Sequence, residues 1–138
     1  MMMKNKLMRS LAILALGLPA VAYANTAAPE ASLTQQEQMA ADFCDFATYG
    51  VMRIAGARQG GATKSEVLTS HGESMTELKK LIDPQTAATL DKYWKDAIDR
   101  MFQESVLKTD AEKQAFVMSV GESSFYSCLE QILEAPKN

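Results

Sequence analysis

Histidine and tryptophan occur once each in this 138-residue chain, as His71 and Trp94, and cysteine occurs twice. A tetrahedral zinc site needs four ligands, so two separated cysteines and one histidine cannot close one. There is no Cys-x-x-Cys pair for a thiol redox centre. No serine sits in a Gly-x-Ser-x-Gly setting, and no glycine-rich phosphate loop is present. No segment alternates at a period of two for long, which excludes much strand. The longest apolar run, Leu11–Leu18, falls far short of the roughly 20 residues that span a hydrocarbon core. These absences predict no catalytic residues, no metal and no cofactor: a protein that works by binding.

That apolar run follows Lys4, Lys6 and Arg9 and precedes Ala22-Tyr23-Ala24, the order of a secretory signal peptide, predicted to span residues 1–24. Asn25 stands where a lipoprotein would carry cysteine, so no membrane anchor is expected after cleavage. The remaining 114 residues suit one domain. The signal removes three of the 14 basic residues and none of the 17 acidic ones, leaving 11 against 17, a net charge of −6. Nucleic acid and anionic membrane are therefore disfavoured as partners. In a periplasmic or secreted protein the pair Cys44 and Cys128 predicts one disulfide.

Residues 25–33 (NTAAPEASL) read as a flexible arm. From 34 to 135 the pattern is all-α, a compact bundle of four to five helices with the terminal helices clamped by the disulfide. Capping boxes at Thr34–Glu37, Thr63–Glu66, Ser74–Glu77 and Thr109–Glu112 each predict a helix start, and Asp83-Pro84 predicts another. Gln59-Gly60-Gly61 ends the first helix, His71-Gly72 offers the second a stop, and Pro136 closes the last. Apolar stripes are expected at Met39, Phe43, Phe46, Gly50 and Ile54, widened by Ala47 and Val51, and at Leu90, Trp94, Ala97 and Met101, broadened by Tyr93, Ile98 and Phe102. Asp91 with Lys95, and Asp96 with Arg100, are opposite-charge pairs four apart.

Cys44, Ala55, Ala57-Arg58, Gly61 and Thr63, with Phe125 three residues before Cys128, resemble a group of uncharacterised small secreted two-cysteine helical proteins of Gram-negative bacteria. That resemblance implies a helical fold and transfers no activity. In architecture and compartment the chain is also similar to small periplasmic acid-stress chaperones.

Arg58, in the last turn of its helix, suits the negative end of the helix dipole; as a binding residue it would contact an anion, with Arg53 assisting. His71 has the one side chain whose ordinary pKa lies near neutrality. Ser119, Ser123, Ser124 and Ser127 are read as small residues that allow close helix approach, and Asp42 and Asp45 as solvated charge. Trp94, with its aromatic neighbours, raises a hydrophobic groove between helices. The candidate binding set is Arg53, Arg58 and Trp94. The function expected is a non-catalytic binding or interaction module for an envelope protein or small ligand; the alternatives are an acid- or envelope-stress chaperone and a carrier of a small apolar ligand.

Overall fold

The computed structural model describes residues 33–134; the predicted signal peptide, the arm except Leu33, and Pro136 lie outside them. Four helices follow in order: α1 Gln35–Gln59, α2 Lys64–Leu78, α3 Pro84–Met101 and α4 Asp110–Leu133, with no strand among the described residues. Packing divides the chain into two compact units, Met1–Gln38 and Met39–Asn138. Of the first, only the start of α1 is described, where the Glu37 amide donates to Thr34 Oγ1 at 3.1 Å. Everything below concerns the second unit.

Helix α1 buries Ile54 of the expected stripe and the flanking Ala47 and Val51, but not Met39 and Phe46. Its buried residues are Ala40, Cys44, Ala47, Thr48, Val51, Ile54, Ala55 and Gln59, whereas Met39 is 64% exposed and Phe46 45%. Small residues on the packed face let neighbouring helices approach closely. At Gly50 the Trp94 indole occupies the space any Cβ would need, and the indole Nε1–H donates to the Ala47 carbonyl at 2.8 Å. The helix ends in a Schellman motif: Gly61 takes φ 93°, its amide donates to Arg58 O at 3.1 Å, and the Ala62 amide donates to Ala57 O at 3.0 Å. Glycine at that position avoids the steric cost of a left-handed conformation.

Helix α2 opens on a complete capping box, with Thr63 and Glu66 satisfying each other's amides at 3.1 Å. It then runs through His71-Gly72 to Leu78, so the stop expected there and the box at Ser74 are not used. A mid-helix glycine costs only about 1 kcal/mol, and packing of Val67 and Met75 on both sides of it outweighs that. Helix α3 follows its pattern closely. Asp83 accepts from the Thr86 amide at 2.9 Å, Pro84 takes the first position, and Ala87, Leu90, Trp94, Ala97, Ile98 and Met101 are buried. Lys95 pairs with Asp91 as expected at 3.1 Å, but Asp96 pairs with Lys92 at 3.0 Å rather than with Arg100.

Helix α4 starts at Thr109, which accepts from the Glu112 amide at 3.1 Å, and buries only Gly121 and Cys128. The Cys44–Cys128 disulfide, with Cα atoms 5.7 Å apart, joins it to α1, as predicted. Close approach of α4 depends on Gly121, against which Met52 packs. Of the serines, Ser119, Ser123 and Ser127 are exposed, while Ser124 is half-buried and hydrogen-bonds Tyr93 of α3.

Candidate functional site: a groove between the first two helices

Positions 46, 49, 50, 53 and 57 form a second stripe along α1, next to the buried one. Positions 67, 70, 71, 74 and 78 form its counterpart on α2. Between them lies an open groove of about 660 Å³ whose walls include Phe46, Tyr49, Arg53, His71, Ser74 and Leu78, with Leu81 at one end and Trp94 of α3 at its floor. The volume is in the range of small-ligand sites, roughly 300 to 1,000 Å³. Several wall side chains that elsewhere would be core remain in contact with solvent: Tyr49 is 62% exposed and Leu81 81%.

Trp94 is held from three directions. Gly50 admits the indole, its N–H is tied to Ala47 O, and Phe46 and His71 meet it edge-on at centroid distances of 5.7 and 6.2 Å. His71 is in turn fixed by Asp91, Nε2 to Oδ1 at 2.6 Å. Burial pushes the Asp91 carboxyl pKa up, but the His71 hydrogen bond and the hydrogen bond and charge of Lys95 outweigh that and hold it below the usual carboxylate range. An ionised carboxylate only accepts, so His71 presents Nε2–H to it. Ser70 and Ser74 share the groove with His71.

The charged walls differ in how far they are engaged. Glu66 accepts from the Thr63 amide within its capping box, and Glu77 holds Lys80 Nζ with both carboxylate oxygens at 3.1 and 3.3 Å. Arg53 is exposed on the wall and has no ion-pair partner among the described residues.

Of the three residues predicted for binding, the fold brings Arg53 and Trp94 to this groove and places Arg58 elsewhere. The Arg58 Nε and Nη2 donate to the Glu104 carbonyl at 3.0 and 2.9 Å, and its guanidinium lies 5.1 Å from the Phe102 ring centroid. Beside it the buried Gln59 amide donates to Ser105 O at 2.9 Å and accepts from the Leu107 amide at 2.8 Å. Together the two side chains fasten the α3–α4 connection to the end of α1. Asp91, Tyr49 and Leu81 were missed as site residues, and Phe46 and Gly50, which line the groove, were read as part of the buried stripe.

Comparison with known proteins finds no matching family model, no similar curated protein and no similar solved structure.

Proposed function

We propose that this protein is an exported, non-catalytic binding module that holds an apolar ligand in the α1–α2 groove. One observation carries the reading: Phe46, Tyr49 and Leu81 stay exposed around a floor built from the single tryptophan. Exposed apolar side chains concentrated along one concavity mark a binding surface. The intramolecular disulfide fits an oxidising compartment such as the periplasm or the cell exterior. A carrier role follows most directly from a groove of this size. A chaperone role in envelope stress, with apolar segments of unfolded clients as ligand, draws on the exposed Tyr49 and Leu81 at the rim.

The test is titration with the uncharged dye N-phenylnaphthylamine, read by dye fluorescence and by quenching of Trp94. Saturable binding is expected for the wild type, weakened at least about tenfold in Leu81→Glu, which sets a charge at the groove mouth without disturbing packed atoms. Absence of saturable binding, or equal binding by the variant, defeats the reading. Suppression of aggregation of an unfolded client without dye binding would favour the chaperone over the carrier.

A further inference from the structure

We infer that the groove's ligand is an amphiphilic carboxylate, an alkyl chain with one anionic head, and that Arg53 is its head-group contact. The inference rests on the apolar-binding reading above and adds the ligand's class and its orientation. Along α1 the groove wall reads Phe46, Tyr49, Gly50, Arg53, Ile54, Ala57, so the aromatic side chains lie on one side of the cation and only Ile54 and Ala57 beyond it. Seven residues of helix place Arg53 about 10 Å from Phe46, a distance an alkyl chain of medium length covers when extended. The tail then lies over Trp94 between Phe46 and Leu78, and the head reaches the guanidinium, whose planar fork of donors matches a carboxylate.

Charge selects the head group. Glu66 keeps its negative charge but directs it into the helix cap, and Glu77 is paired with Lys80, whereas Arg53 has no ion-pair partner among the described residues. The His71 Nε2 is taken by Asp91. An uncharged alcohol of the same chain length would fill the same apolar length and leave Arg53 solvated. A quaternary ammonium would meet Arg53 with like charge.

Trp94 is the chain's single tryptophan and forms the groove floor, so its fluorescence reports occupancy directly. We would titrate the whole oxidised protein with dodecanoate, dodecanol and dodecyltrimethylammonium, each below its micelle-forming concentration. Dodecanoate should bind about tenfold or more tightly than dodecanol, the scale of one partly exposed charge-assisted contact. In Arg53→Gln that preference should vanish while dodecanol affinity stays unchanged. Lys113→Gln, which removes one cation from α4 away from the groove, should keep the preference. Equal affinity for acid and alcohol, tighter binding of the ammonium, or loss of the preference in Lys113→Gln as well as in Arg53→Gln would overturn the carboxylate assignment and leave apolar binding standing. If none of the three probes binds, the carboxylate assignment and the groove reading both fall.

Discussion

Helices α3 and α4 show two ways of belonging to the same bundle. Helix α3 buries six side chains in 18 residues and supplies the tryptophan on which α1 and α2 close. Helix α4 is longer, with 24 residues, but buries only Gly121 and Cys128, while Met118 and Tyr126 remain exposed. Burial of apolar area, about 25 cal/mol per Å², therefore holds α3 far more than α4. The latter is held by a covalent link, by the close approach of Met52 to Gly121 and by the half-buried Phe116, Val117 and Val120 against the core. A helix can thus be predicted equally well at both places, while the forces that dock it differ.

The disulfide offers the most direct way to break this comparison. Replacing Cys44 and Cys128 by serine should cost about 4 to 5 kcal/mol, the loop-closure value for a separation of 84 residues. In the same variant, hydrogen exchange should accelerate much more in α4 than in α3; uniform acceleration would show that α4 is docked by packing after all.

Trp94→Ala should cost about 3 to 5 kcal/mol, the range for truncating a buried aromatic. Its loss should raise exchange in α1, α2 and α3 together, monitored by urea melts and exchange mass spectrometry; a change confined to α3 would contradict its role as the shared floor.

Asp91→Ala should remove about 1.5 to 3 kcal/mol, as charge-assisted bonds to His71 and Lys95 disappear. The folded carboxyl binds its proton less tightly than the unfolded one, so this stabilisation is complete above the ordinary aspartate range and is lost as pH falls through the lowered folded value. Melting temperatures of wild type and variant should converge in acid and separate toward neutrality. A constant difference across that window would show that Asp91 acts through packing rather than charge.

The smallest effect should come from Thr63→Ala. Loss of this cap should cost about 1 kcal/mol and be felt mainly at the start of α2, leaving the α3–α4 contrast untouched; a thermal shift as large as that of Asp91→Ala would argue against a local role.

Helix starts were legible because capping is local. Thr34, Thr63, Asp83 and Thr109 each accept from a backbone amide three residues on, so sequence neighbours suffice to predict them. The false start at Ser74 had the same letters; its helix had already begun at Lys64, and burial of Val67 and Met75 carried it past Gly72. The stripe on α3 was legible because its large apolar residues are the buried ones. On α1 the rule that large apolar residues go inside held for Val51 and Ile54 but failed for Met39 and Phe46, since alanines and Cys44 fill the rest of the packed face and leave Phe46 and Tyr49 to line a groove. Arg53 and Trp94 were legible as candidates by type, but nothing in their 41-residue separation states that they share a site. Arg58 was legible as a helix-end cation; its contact with Glu104, 46 residues away, was not.

By itself the sequence determined the all-α class, most helix boundaries and the identity of the disulfide pair, because caps, periodicity and an even cysteine count depend on residues near one another or on simple counting. The tertiary structure alone decided which face of α1 turns inward, that His71 meets Asp91, and that Arg53 and Trp94 line one groove. Those outcomes depend on how closely helices approach, and that distance is set by which small residues meet across an interface.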